Sequence, residues 1–474
     1  MLFNSVEYIL FLFVVTALFF ALPLRFRWAG LLLANCVFYM WWNAAYVLLL
    51  LASSGVDYLA GLYISRARTS FARRSALLVS LCSNLSILFV FKYWTLFHTV
   101  LHDVLSLISV PYTPRTLHVL LPVGISFYTF QAMSYTIDVY RGVEQPVRDL
   151  RKYALFATFF PQLEAGPIER ARAMIPQFEG VQRFDLDRAC LGLQRILWGL
   201  FKKVVIADRL APYVEAVYGN VSHHNGATLV LATYAFAFEI YCDFSGYSDM
   251  AIGSAQLLGF ELMRNFERPY FSRTMTEFWR RWHISLSSWL RDYLYISLGG
   301  NRGSKVLLYR NLMITMVLGG LWHGANWTFL IWGALQGIFL CLSRATLGFR
   351  DNLIARLRLP TVIVDPWRMF VTFQLTCCSW IFFRSASLRD AVVIFENILS
   401  PWKAPFLDKG LLVHAGFGVA ILLLVEALEA RVGSVQRWIS QQRAPLRWAL
   451  WYGLLSSIVL FGVESGSQFI YFQF

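Results

Sequence analysis

Long apolar runs broken by short basic stretches dominate the chain. Candidate membrane spans lie near 3–24, 29–51, 75–97, 117–140, 190–210, 226–260, 311–343, 363–385, 411–430 and 447–465. A spanning helix needs about 20 mostly apolar residues, and several of these runs are too long or too short for one crossing. The pattern therefore predicts roughly nine to twelve spans with re-entrant pieces, an all-α polytopic membrane protein. Arg25 and Arg27 follow the first span, and Arg66, Arg68, Arg73 and Arg74 come next. Between them, 29–51 and the shorter run 53–65 read as a hairpin that goes out and returns. The loop His98–His118 carries only Arg115, and Arg141, Arg148, Arg151 and Lys152 follow it. The alternation puts the basic loops on the cytoplasmic side. The first span has no basic segment before it and reads as retained, not as a cleaved signal.

One segment departs from a plain span pattern. Phe278, Trp282, Leu286, Trp289, Tyr293 and Ile296 recur three or four residues apart, with Arg280, Arg281 and Arg291 mainly opposite. This predicts one amphipathic helix at the cytoplasmic interface, with His283 toward its apolar side. Between Phe159 and Ile168, two prolines and a glycine forbid a regular span. Glu164 in that stretch is read at headgroup level rather than in a cavity. Asp243 and Asp249 sit in an apolar surround and read as capping or pairing groups.

The composition agrees with a membrane protein: 57% hydrophobic and 15% charged, against about 25% charged in soluble domains. The net charge of +14 suits loops beside anionic lipid, and no nucleic-acid motif accompanies it. The seven cysteines are scattered without a CxxC pair, so neither a disulfide framework nor a metal site is expected. No internal repeat is visible, which disfavours repeat-built transporters. The texture points to one integral membrane domain over 1–474, with its chemistry in a core of about 120–345.

The candidate chemistry centres on Gly319-Gly320-Leu321-Trp322-His323-Gly324-Ala325-Asn326-Trp327. It lies in a run from Asn311 to Ser343 without Lys, Arg, Asp or Glu. An ionisable residue at that depth is costly and marks function by default, although a buried structural histidine fits the local residues as well. A histidine can take a proton from a hydroxyl near neutral pH. The flanking glycines suggest local unwinding and a cavity at His323. Asn326 and Trp322 are candidate substrate contacts. Nine basic residues lie between Arg264 and Arg310. Among them Arg280, Arg281, Arg291, Arg302 and Lys305 are candidate sites for a phosphorylated acyl donor, with lipid headgroups as the alternative partner.

These blocks carry a resemblance. Glu277–Leu286, Trp289–Ile296, Gly299–Gly303, the block around His323, Asp243–Gly253, Leu121–Tyr128 and the ending Tyr471–Phe474 resemble the membrane-bound O-acyltransferase (MBOAT) family. They are most similar to its bacterial branch concerned with alginate and cellulose acetylation. Glu164 departs from that branch, which usually has an apolar residue there. The resemblance implies a helical bundle with re-entrant or interfacial helices around a transmembrane tunnel. It implies His323 as the catalytic residue and His283 as the second essential one. It also implies acetyl-CoA as donor with no permanently bound cofactor, and a periplasmic or membrane-anchored partner that hands acetyl to a polysaccharide. The setting would be the bacterial inner membrane. Peptidoglycan, teichoic acid or lipid acceptors are the alternatives within the family. A proton-coupled transporter is the alternative outside it.

Overall fold

A computed structural model of the chain describes residues 1–115, 117, 121–164, 166–401, 403–463 and 469–470. The ending Tyr471–Phe474 lies outside the described residues. Among those described there is no strand, and helices follow one another from Val6 to Phe461. Among the described residues, six helices are long and apolar enough to cross a membrane: Ala44–Arg66, Ser70–Leu107, Gly226–Leu258, Trp327–Ala345, Leu412–Val432 and Ala444–Phe461.

That is fewer than the nine to twelve spans expected, and several of the apolar runs are divided. The run 29–51 is cut at Trp41-Trp42-Asn43, where the Asn43 side chain caps a new helix by accepting from the Ala45 amide at 3.0 Å. The new helix then continues unbroken to Arg66, so the expected hairpin of 29–51 and 53–65 is absent. The run 311–343 is cut at Gly324–Asn326 into the helices Lys305–His323 and Trp327–Ala345. The run 190–210 passes from α-helix into a π-helical turn at Phe201–Ala207.

Two compact units divide the chain: residues 1–193 with 251–263, and residues 194–250 with 264–474. In the first, Asp57 is fully buried and joins three helices. It accepts from Ser80 Oγ at 2.5 Å and from Asn84 Nδ2 at 2.8 and 3.0 Å, while Ser80 also meets Thr136 at 3.0 Å. Polar side chains at such depth are tolerated when they satisfy one another. A cleft of about 240 Å³ in this unit is lined by Arg27, Arg151 and Lys152 among others. Each of these cations is engaged nearby: Arg27 with the Gln182 carbonyl, Arg151 with Asp149 and Lys152 with Glu179.

In the second unit the π-helical turn carries two buried lysines. Lys203 Nζ lies 2.8 Å from Asp208 and 2.6 Å from Asp243. Lys202 Nζ lies 2.6 Å from Asp249, which Arg195 also meets at 3.2 Å. Asp243 and Asp249 are thus pairing groups, as read from the sequence. Elsewhere in the unit, the helices Lys305–His323 and Trp327–Ala345 pack backbone to backbone at Gly320 and Gly333. A Cβ at Gly320 would stand 2.3 Å from the Phe329 carbonyl oxygen, and one at Gly333 would stand 2.4 Å from that of Met316.

Gly320→Ala should therefore destabilise the protein by about 1–3 kcal/mol through overpacking against backbone. Gly348→Ala, with nothing within 4 Å of the added carbon, should leave stability unchanged or raise it by about 0.4–1 kcal/mol. Thermal unfolding in detergent compares the two, and equal midpoints would contradict the close-packing reading.

Candidate active site

His323 is the last residue of the Lys305–His323 helix, which stops because Gly324 turns to extended backbone. The next helix starts at Trp327, with Asn326 as its cap. His323 is 3% exposed. Its ring is enclosed by Trp322, Trp332 and Phe383 at centroid distances of 4.9, 5.0 and 5.4 Å, each near perpendicular. The glycines around it were expected to open a cavity. They act in the other direction: Gly320 brings two helices together, and a Cβ at Gly324 would stand 2.1 Å from the Phe329 ring.

His283 lies 6.5 Å from His323, centroid to centroid. It is fully buried, with Phe244 at 4.6 Å, Trp322 at 5.9 Å and Phe266 at 6.4 Å. Two histidines separated by 40 positions in the sequence thus share one aromatic enclosure. The single amphipathic helix expected over 278–296 is not formed. Met275–Arg281 ends before Trp282, Ile284–Trp289 begins after His283, and Leu290–Tyr295 is π-helical. His283 itself is left-handed, at φ 43°. The apolar spacing was legible, but the break is imposed from outside the segment by Asn265, whose backbone carbonyl accepts from the Ile284 amide at 2.8 Å. Its side-chain oxygen accepts from the Ser285 amide at 3.2 Å. Sequence reasoning missed Asn265 because its partners lie 18 to 20 residues onward and no local spacing marks it. It also missed Trp332, a fully buried side chain whose Nε1 has no hydrogen-bond partner among the described residues.

Burial pushes the His283 imidazole from about 6.5 down to about 3, so it is neutral across the physiological range. Trp322 is buried and packs against both histidine rings. Asn326 is differently occupied: its Oδ1 accepts from the Thr328 amide at 3.2 Å and its Nδ2 reaches the Ala386 carbonyl at 3.4 Å. Its amide therefore caps a helix and bridges to a neighbouring turn. The basic candidates fall into two groups. Arg280, Arg291, Arg302 and Lys305 are exposed. Arg281 is committed to Glu277 at 2.7 Å. Arg291 also lies 2.7 Å from Asp292. Glu164, expected at headgroup level, is instead buried with the broken Phe160–Leu163 segment, 3.7 Å from the Met1 amine. Among the described residues no group of three or more His, Cys, Asp or Glu is arranged to hold a metal.

An enclosed histidine pair at helix ends in a multi-pass membrane protein is a setting for proton transfer during group transfer. Residues 147–382, which include both histidines, match the membrane-bound O-acyltransferase family. The chain belongs to this family and is a multi-pass membrane O-acyltransferase. It is 41% identical over 434 residues to a probable alginate O-acetylase AlgI of Azotobacter vinelandii, covering 91% of this chain and 84% of that protein. It is 36% identical over 395 residues to a peptidoglycan O-acetyltransferase of Helicobacter pylori, covering 78% and 73%. It is 26% identical over 318 residues to a teichoic acid D-alanyltransferase of Bacillus subtilis, covering 65% and 74%. The transporter alternative is set aside by this membership.

The depressed His283 pKa makes a stability prediction. As pH falls below about 6.5 the unfolded chain binds a proton that the folded site refuses, so this histidine's contribution to stability declines from pH 6.5 toward 3. His283→Asn, which suits a left-handed position, should flatten the acid side of a plot of unfolding midpoint against pH. Parallel curves for the two proteins would show that His283 is not the titrating group.

Proposed function

We propose that the protein moves acetyl from cytoplasmic acetyl-CoA across the bacterial inner membrane for O-acetylation of an exopolysaccharide, through a periplasmic or membrane-anchored partner. The observation that carries this reading is the shared enclosure of His283 and His323, in a chain with long, specific similarity to alginate O-acetylases. His323 acts as the base. It takes the proton from the acceptor hydroxyl while the hydroxyl oxygen attacks the thioester carbonyl. The tetrahedral oxyanion then collapses, the carbon–sulfur bond breaks, and the proton leaves with the coenzyme A thiol. The C-terminal end of the 19-residue helix that presents His323 carries partial negative charge, which stabilises the transient imidazolium.

The oxyanion needs a donor in a water-poor site. Asn326 was the sequence candidate, but both ends of its amide are engaged. The buried indole N–H of Trp332, without a hydrogen-bond partner among the described residues and on a ring 5.0 Å from His323 by centroids, is proposed for this role instead. The exposed Arg280, Arg291, Arg302 and Lys305 are proposed to meet the phosphates of the donor. Arg281 supports them less directly, through its pair with Glu277. The identity to a peptidoglycan O-acetyltransferase keeps peptidoglycan as the second reading for the acceptor.

Purified protein in liposomes, given labelled acetyl-CoA and a partner-containing extract, tests the reaction. His323→Ala should lower transfer by about 10²–10⁴-fold in protein that still folds and unfolds cooperatively. Undiminished transfer would remove His323 from the mechanism. Trp332→Phe keeps the ring and deletes the N–H, and should lower kcat by roughly 10²-fold with KM for acetyl-CoA little changed. Deleting the gene and measuring ester-linked acetyl on each surface polymer decides the acceptor: loss from exopolysaccharide supports the first reading and loss from peptidoglycan the second.

A further inference from the structure

Asn265 is 1% exposed and lies in the non-helical segment between Leu258 and Pro269. Its side-chain oxygen meets three groups of the His283 turn: the Ser285 amide nitrogen at 3.2 Å, Ser285 Oγ at 2.9 Å and His283 Nδ1 at 3.1 Å. Its side-chain nitrogen donates to Ser248 Oγ at 3.2 Å. Its backbone carbonyl accepts from the Ile284 amide, and two residues later the Glu267 amide donates to the Arg281 carbonyl at 2.9 Å. Asn265 and its neighbours therefore form a template along residues 281–285.

The orientation of a carboxamide is ordinarily an assignment made from its surroundings. Here one neighbour removes the choice. The Ser285 backbone N–H can only donate, so the Asn265 atom facing it is oxygen. His283 Nδ1 faces the same oxygen. Two lone-pair atoms would repel there, so Nδ1 carries hydrogen. In a neutral imidazole the remaining lone pair is then on Nε2. A left-handed non-glycine residue is strained and persists only where its surroundings over-determine it. The Asn265 contacts supply that constraint on both the backbone and the ring.

We infer that Asn265 is a positioning residue for acyl transfer: it holds His283 as the Nδ1–H tautomer, with Nε2 as its hydrogen-bond-accepting nitrogen. The inference rests on the reading above that His283 works beside His323. Its chemical content is that the neutral His283 ring accepts a hydrogen bond through Nε2 only. Substitutions at Asn265 thus act through the ring of His283 and not through donor binding.

The test uses the full chain, labelled with ¹⁵N-histidine, in lipid. The His283 ring signals are identified by subtracting the spectrum of His283→Asn. The wild-type protein should show a protonated Nδ1 and a bare Nε2; the reverse pattern overturns the inference outright, whatever the activity. Asn265→Leu keeps the volume but removes the acceptor. It should lose the tautomer preference and lower kcat by about 10- to 100-fold, with KM for acetyl-CoA unchanged. Asn265→Asp retains an acceptor for the same donors, should keep Nδ1–H, and should recover activity above the leucine variant. Wild-type kcat in the leucine variant, or no difference between the two variants, counts against a positioning role. Should Asn265→Leu fail to fold, the wild-type spectrum still decides the tautomer. The inferred tautomer together with full activity of His283→Asn would instead sink the role of His283 in transfer, so the two failures are distinguishable.

Discussion

Where a backbone leaves the helix inside an apolar bundle, its amides and carbonyls must find partners within the protein, because there is no water to take them. Both histidines stand at such a departure. His323 closes a helix at Gly324, and Asn326 satisfies the start of the next one. His283 sits between two short helices, and the carboxamide and carbonyl of Asn265 satisfy the turn. A helix end is where unpaired backbone polar groups already gather in a bundle. The site is built from these interruptions rather than from the spans.

The buried charges elsewhere in the same unit obey the same requirement by another route. Lys202 and Lys203 are carried on a π-helical turn and meet Asp249, Asp208 and Asp243 within 2.8 Å. Removing one partner of such a pair leaves an uncompensated charge in a medium that cannot solvate it. These groups are therefore held to one another. A histidine differs because it can be buried neutral, as His283 is, without a charged partner. That distinction separates the ion pairs that hold the unit together from the two enclosed imidazoles.

Much was legible in the amino-acid order. The membrane class, the helical fold and the exceptional character of the uncharged run around His323 all follow from composition and hydropathy. The pairing role of Asp243 and Asp249 was also readable, since buried carboxylates need partners. Other readings failed for identifiable reasons. The three- and four-residue spacing from Phe278 to Ile296 describes a helix face correctly, but spacing is blind to a remote asparagine that breaks the helix at His283. Glycines near His323 suggested open space. Glycine equally permits close approach, and the contact of Gly320 with the Phe329 carbonyl shows it used in that sense.

By itself the sequence determined that this is a membrane-embedded helical protein and that His323 stands where charge is scarce, because the bilayer imposes a composition that can be read residue by residue. Only the tertiary structure decided that His283 and His323 share one aromatic enclosure, that Asn326 is occupied as a cap, and that Asn265 meets the His283 ring. The physical reason is range. Hydropathy and helical spacing act over a few residues, whereas the contacts around the imidazoles are made between segments 18 to 60 positions apart.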